Sequence, residues 1–479
     1  MSGRTLRVIA VAVTLVCAAC SATGEQSRVL PAEPRAGRWK PWVLSSADSI
    51  VVPSPPAEGS MAATRDRVRL EHLVARRTRQ DEGRVHFWGD YPAIEPWINL
   101  ALHLVAEEGV KDPPRAARGY ALLSVAINDA IVSAWHWKYI YDRPPPTGVS
   151  VIAERSSEPS YPSEHAVMAG AAARVLAYTF PDLPAKRFDE LAQEAARSRL
   201  LSGTNYPSDV AAGLDLGRAV ANRVIARAET DGYGRAGRSK IPPGRGYWKP
   251  PPGSVALPVE PLAGRWRPWV ITSAEGLLPP PPPQYRSPRF VAEAKQVMEF
   301  GNHLSPEQAR IAKHWAAGPG TPLPPGMWNQ LALDKIRRSR LSIPEMAAVF
   351  ALLNVAEADA AIAAWHSKYR YWSARPVNAI HDLGLDRDWA PYLPTPLFPG
   401  YVSGHSTFSA AAAEVLGSIW PEDAPRFRAM AREAGLSRVF GGIHYASDNE
   451  QGLRLGRRIG RLVVERSRRD GHGVPAGRP

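Results

Sequence analysis

Apolar residues fall at the i, i+3, i+4 and i+7 spacing of one helix face across residues 116–134, 163–178, 187–200, 344–366, 406–419 and 450–466. No run alternates convincingly as a half-buried strand would, so the pattern predicts an all-α fold. Proline clusters at 53–56, 144–146, 242–252 and 279–283 punctuate the helical stretches and mark ordered connections. The Ala-rich stretch 410–413 carries little side-chain bulk, which lets two helices approach closely.

The pattern also repeats. Gly37-Arg38-Trp39-Lys40-Pro41-Trp42-Val43 recurs as Gly264-Arg265-Trp266-Arg267-Pro268-Trp269-Val270, and residues 121–139 match 351–369 at 12 of 19 positions. The stretch from Ser198-Arg199 to Asp209 recurs from Ser437-Arg438 to Asp448, and the offset stays between 227 and 240 throughout. Constant order at a near-constant offset is a duplication. The expected architecture is two related helical bundles about a pseudo-twofold axis. The expected limits are a leader at 1–19, a linker at 20–37, a degenerate first bundle at 38–240, a Pro-rich linker at 241–264, a catalytic second bundle at 265–467 and a flexible tail at 468–479.

Composition narrows the class of protein. A chain of 479 residues with 44% hydrophobic and 22% charged residues is globular and long enough for two cores. The net charge of +13 suits anionic small molecules, lipid headgroups or nucleic acid. The densest basic run, from Arg454 to Arg469, lies on a helical pattern with no nucleic-acid module beside it; it reads as a solvated face, and no nucleic-acid partner is expected. At the N-terminus Arg4 and Arg7 precede a short apolar stretch that closes on Leu15-Val16-Cys17-Ala18-Ala19-Cys20, the pattern of a secretory leader. The small residues before Cys20 resemble a lipobox, the bacterial lipoprotein cleavage site. That implies acylation of the Cys20 sulfur and a soluble body tethered to the cell envelope by lipid alone. Both cysteines lie in this segment, which excludes disulfide, thiolate and cysteine-metal chemistry from the rest of the chain. No other stretch is expected to have the length and apolarity of a membrane helix.

Candidate chemistry gathers in the last quarter. Lys368 and Arg375 are seven residues apart, two turns on a continuous helix and therefore on one face, and Pro376 puts Arg375 at a helix end. Ser403-Gly404-His405 precedes a helical run, where free N–H groups and the positive dipole end collect an anion; Gly404 allows close backbone approach. After Ser437-Arg438, Gly441-Gly442 frees the backbone before His444, and Ser447-x-x-Glu450 has the form of a capping box. Asp448, four residues beyond His444, can hold one ring nitrogen and leave the other free to attack or to bind a metal. Three cations, a hydroxyl, a backbone donor and two histidines together suit a tetrahedral oxyanion.

Lys368-x6-Arg375-Pro376, Ser403-Gly404-His405 and Ser437-Arg438-x5-His444-x3-Asp448 resemble the signature of the superfamily joining type-2 phosphatidic acid phosphatases, soluble bacterial acid phosphatases and vanadium-dependent haloperoxidases. Val402 stands where that signature has proline, a change in loop stiffness. The run 398–408, Gly326-Met327-Trp328-Asn329 and the stretch 266–283 are most similar to the haloperoxidase-related branch. For a phosphate ester the resemblance implies that His444 attacks phosphorus and that His405 protonates the leaving oxygen and later activates water. Lys368, Arg375, Arg438, Ser403 and Gly404 hold the remaining oxygens, with no divalent metal required. For a haloperoxidase it implies vanadate on His444, with Lys368 polarising peroxide and halide as co-substrate. Phosphate ester hydrolysis is the first expectation, haloperoxidase chemistry the second, and a noncatalytic anion- or partner-binding envelope lipoprotein the third. A homodimer is retained as an option for assembly.

The first half carries the same frame without the full set. Lys138 and Arg143 are five apart and would diverge on a helix, Glu164 replaces the glycine, and Asn205 stands where the histidine nucleophile would be. Ser198, Arg199 and Asp209 persist. This half is expected to support the other without catalysing, and the recurring His136 and His366 are expected to pack rather than react.

Overall fold

The computed structural model describes residues 32–90, 92–108, 110–153, 157–235, 240–250 and 256–472. The leader and Cys20 lie outside them. Among the described residues there are fifteen α-helices and no strand, with one isolated bridge between Tyr247 and Ser373.

The first half contains α1 (Met61–Ala75), α2 (Arg79–Gly89), α3 (Glu95–Glu107), α4 (Pro113–Tyr141), α5 (Glu164–Thr179), α6 (Ala185–Leu201) and α7 (Pro207–Glu229). The second contains α8 (Pro288–Asn302), α9 (Pro306–His314), α10 (Leu323–Ile336), α11 (Ile343–Tyr371), α12 (Pro376–Leu383), α13 (Gly404–Ile419), α14 (Ala424–Phe440) and α15 (Ala446–Asp470). In chain order α1–α7 answer to α8–α11 and α13–α15, and only α12 has no counterpart. The predicted helical stretches all lie within α4, α5, α6, α11, α13 and α15 or overrun them by one residue.

The two halves meet along α4 and α11, each 29 residues long. The Nδ2 of Asn354 on α11 donates to Ser124 Oγ on α4 at 2.9 Å and to Asn329 on α10 at 2.8 Å, so the buried amide is satisfied across the junction. Contrary to expectation, α11 is long and apolar enough to cross a membrane, but that stretch is wholly buried inside the protein. The reason is its position: α4, α10, α13 and α15 surround it.

Both Trp-rich repeats dock in the same way. The Asp129 carboxylate accepts the amides of Trp42, Val43 and Leu44, and Asp359 accepts those of Trp269, Val270 and Ile271. The last helix of each half then grips the repeat of the other. Arg227 of α7 lies over the Trp269 ring at 3.5 Å, and Arg466 of α15 lies over Trp42 at 4.2 Å. Arg466 is therefore turned inward, which corrects its assignment to a solvated basic face; Arg454, Arg458, Arg461, Arg468 and Arg469 do lie exposed.

Two boundaries also move. Helix α15 continues to Asp470, and the buried His472 packs against Trp39 and Trp42 while its Nε2 bonds the Lys40 carbonyl at 2.9 Å, so 468–472 is docked rather than a free tail. Within the Pro-rich linker, Trp248 is fully buried and its amide bonds the Trp372 carbonyl at 2.7 Å.

A glycine stripe sets the distance between α13 and α15. A Cβ at Gly452, Gly456 or Gly460 would come within 2.2–2.7 Å of the carbonyls of Ser403, Thr407 and Ala411. Only glycine permits that approach, and it brings the start of α13 against the start of α15. Gly213 and Gly217 of α7 do the same against α5.

Candidate active site

Helix α11 ends when Trp372 takes a left-handed conformation (φ 50°) and donates its amide to Lys368 O at 2.9 Å. Lys368 thus occupies the last turn of α11, while Arg375 is the N-cap of α12. The expectation that they share the face of one helix is wrong, because the helix breaks between them. They nonetheless converge. The Lys368 ammonium lies 5.0 Å from the Phe398 ring centre and the Arg375 guanidinium 4.9 Å, two cations against one aromatic ring.

The loop that follows Phe398 satisfies much of their hydrogen-bonding capacity. Lys368 Nζ donates to the carbonyls of Pro399, Gly400 and Val402 at 3.0, 2.8 and 2.6 Å. Arg375 donates through Nε to Phe398 O and through Nη1 to Ile443 O, at 2.9 and 2.8 Å. Arg375 Nη2 is buried with no partner.

His444 is buried between Arg375 and Asp448. Its Nδ1 bonds Asp448 Oδ2 at 2.8 Å, and Arg375 Nη1 approaches its Nε2 at 3.0 Å. A guanidinium only donates, so Nε2 must be the acceptor and Nδ1 must carry the proton. The ring therefore presents a lone pair on Nε2. Burial first, then Arg375 and Lys368, holds its pKa well below the usual histidine range, which keeps it neutral. Asp448 also accepts the Tyr445 amide, so it, and not a Ser447–Glu450 pair, caps the start of α15. Ser447 instead bonds Glu293 of α8 through its hydroxyl at 2.6 Å. Burial pushes the Asp448 carboxyl up to about 7 against the pull of Lys368.

Ser403 is the N-cap of α13, and its Oγ accepts the Ser406 amide at 3.4 Å, which leaves the hydroxyl proton free. Gly404 begins the helix with an ordinary backbone. A Cβ there would meet Trp365 at 3.5 Å, which is normal contact, so packing against the protein does not itself demand glycine at this position. His405, the least buried of the site residues, bonds the Trp315 carbonyl through Nε2 at 3.0 Å. Burial and the neighbouring Arg438 hold its pKa well below the usual value. Arg438 bonds Ala312 O at 2.9 Å and Ser437 Oγ at 3.0 Å, and burial lowers its pKa to about 9. The carbonyls closing α9 thus anchor both His405 and Arg438, a contribution no sequence motif announced. Phe398 was visible only as part of a resembling run.

Among the described residues, none of Lys368, Arg375 and Arg438 has a carboxylate within 4.0 Å. The first half differs on this point. Lys138 pairs with Glu164 at 2.8 Å and Arg143 with Asp209 at 2.6 Å. Asn205, in the place of His444, bonds Ser160 O at 2.9 Å and offers no nucleophile. Asp448, held by His444, acts on Lys368 and Arg375 only from beyond 4.0 Å, and buried cations with no carboxylate in contact are costly unless an anion joins them. The second-half residues therefore fit a tetrahedral oxyanion set against the His444 lone pair.

Residues 348–426 and 423–472 match the model of the VCPO second helical-bundle domain, and residues 118–232 match that of the PAP2 superfamily. The chain belongs to the superfamily of type-2 phosphatidic acid phosphatases and vanadium-dependent haloperoxidases. Both duplicated halves of this superfamily member are matched, including the one whose motif set is incomplete. A vanadium chloroperoxidase from Curvularia inaequalis is 27% identical over 153 residues, a quarter of each chain. The crystal structure of a bacterial vanadium-dependent iodoperoxidase superimposes with a TM-score of 0.66 and 26% identity, covering 78% of this chain and 95% of that one. A holo-type bacterial vanadium-dependent chloroperoxidase shares the fold, with a TM-score of 0.58, 16% identity and coverage of 77% and 95%.

Proposed function

We propose that this protein is a vanadium-dependent haloperoxidase that uses peroxide to oxidise halide. Its carrying observation is the His444 Nε2 lone pair facing buried cations that have no carboxylate partner. The likeness to an iodoperoxidase along nearly all of that protein's length supports halide over ester as substrate. When bound, vanadate supplies the Lewis acidity that activates peroxide toward halide.

The chain's own residues do the rest. His444 Nε2 is the ligand atom, and Asp448 fixes the tautomer that exposes it. Arg375, with its free Nη2, and the Ser403 hydroxyl donate to oxyanion oxygens, while Lys368 and Arg438 supply positive charge from behind. Burial first, then Arg438 and Lys368, depresses the His405 pKa; an anion in this cradle offsets the share owed to the two cations and so favours proton uptake by His405, the least buried of these residues.

Phosphate ester hydrolysis remains a second reading, favoured by the PAP2 match and by a donor set that suits any tetrahedral oxyanion. There His444 Nε2 forms a bond to phosphorus as the ester P–O bond breaks, and the leaving oxygen takes its proton from His405. Water, deprotonated by His405, then releases phosphate.

The deciding experiment gives purified protein orthovanadate, hydrogen peroxide and iodide or bromide with an oxidisable dye, and separately a phosphomonoester. Vanadate-dependent dye oxidation that disappears in His444→Ala is expected. Ester hydrolysis inhibited by vanadate, without halide oxidation, would shift the assignment to a phosphatase, and turnover of neither would leave an anion-binding protein. Lipid anchoring through Cys20 belongs to the same proposal. Its check is release of a Cys20→Ala variant from the membrane fraction.

A further inference from the structure

We infer that the first half holds a second, latent oxyanion site, closed by Glu164 acting as its resident anion. The inference extends the oxyanion reading of the second half but concerns a different set of residues.

Glu164 is the first residue of α5 and corresponds to Gly404 at the start of α13. Its Oε2 lies 2.8 Å from Lys138 Nζ, and its Oε1 lies 3.1 Å from His165 Nδ1. Lys138, Ser163, His165 and Arg199 answer to Lys368, Ser403, His405 and Arg438, and all four are buried. Lys138 also keeps the loop contact of its counterpart, bonding Pro159 O as Lys368 bonds Pro399 O. The carboxylate therefore sits between the groups that would hold an oxyanion.

Two neighbouring groups remain unused. Ser163 Oγ and His165 Nε2 are buried with no partner, and Ser163 does not cap its own helix. Burial alone would raise the Glu164 carboxyl, yet Lys138 and His165 hold it well below the usual carboxylate range. The plug is thus ionised at any working pH.

Removing the carboxylate leaves Lys138 a fully buried cation with the Pro159 carbonyl, the Trp135 ring 5.6 Å away and the more distant Asp209, already paired with Arg143, as its remaining partners. Such a charge demands a counter-ion or a proton loss. In Glu164→Gly the vacated volume, the helix start and the two orphan groups would admit inorganic phosphate or vanadate. The site would bind without reacting, because Asn205 cannot serve as a nucleophile.

The test is equilibrium dialysis of the full chain against orthovanadate and against inorganic phosphate, with folding followed by circular dichroism. Glu164→Gly and Glu164→Ala should each bind one more oxyanion per chain than wild type, and their Tm should rise with phosphate more steeply. Glu164→Gln, which keeps the bulk, should show no added site. Only the increment bears on this inference: a wild type that binds none, with variants that bind one, would sink the second-half reading and leave this one standing. Folded variants with no added stoichiometry would overturn it. So would failure of both Gly and Ala variants to fold at any phosphate concentration.

Discussion

Arg375 Nη1 stands 3.0 Å from His444 Nε2, so the atom expected to ligate or attack is covered by a cation. An arriving oxyanion must insert between them, and the planar guanidinium, with Nη2 still free, can turn its fork onto the anion's oxygens. Arg375→Lys keeps the charge but loses the fork. Vanadate affinity should fall about 10–100-fold, the worth of one charged hydrogen bond, as read by titration of the apo-protein.

Asp448 acts through His444 rather than on substrate. Asp448→Asn lets Nδ1 lose its anionic partner and frees the ring to adopt the other tautomer. A loss of about 10–100-fold in vanadate affinity is expected, the usual cost of removing a ligand's supporting carboxylate. Histidine NMR chemical shifts should show the tautomer change, which a purely structural defect would not produce.

Gly404→Glu transplants the first half's carboxylate into the second. Lys368 should take it as an internal partner, as Lys138 takes Glu164. Vanadate binding should be abolished with the circular dichroism spectrum unchanged. Gly404→Ala should bind nearly as wild type, since its Cβ meets Trp365 only at 3.5 Å.

Acid stability should report on the docked C-terminus. Burial lowers the His472 pKa to about 4. The unfolded chain takes up a proton near pH 6.5 that the native one refuses, so stability is full above about 6.5 and declines as pH falls toward 4. The total is about 3 kcal/mol for this residue. His444 and His405 act in the same direction. Denaturant midpoints measured between pH 7 and 4 should vary less for His472→Gln, whose amide can still reach the Lys40 carbonyl.

Asp359 satisfies three backbone amides at 2.7–2.9 Å, and Asp129 accepts three in the first half at 2.7–3.2 Å. Replacing either by alanine strands three donors and should cost about 3 kcal/mol or more. Chemical denaturation should show comparable losses for the two, although only one half carries the reactive set.

Much of this was legible because helical periodicity and duplication are written in side-chain pattern. The site set was legible through motif order, and His444–Asp448 through a four-residue spacing that a helix start converts into contact. The path from Lys368 to Arg375 was less so: Pro376 denies the Trp372 carbonyl a helical donor, but where the chain then turns is fixed by the linker amide of Trp248, which takes that carbonyl from more than a hundred residues away. The cap of α15 was misplaced because Ser447 had a tertiary partner, Glu293, outside its own helix. Arg438 and His405 find their anchors on α9, where the groups involved are backbone carbonyls that any residue type would present. Arg466 looked like surface charge until Trp42 of the opposite half appeared beneath it.

The two arginine clasps and the buried α11 bear on how this protein can be divided. The half that holds the site cannot be lifted out as a working enzyme. Severed near residue 250, it would bare the flank of α11 that α4 now covers, on a helix apolar enough to enter a bilayer. A truncated chain would therefore be a candidate for misinsertion or aggregation before it was a catalyst. The half without a nucleophile would then be retained as the shield that keeps its twin in water.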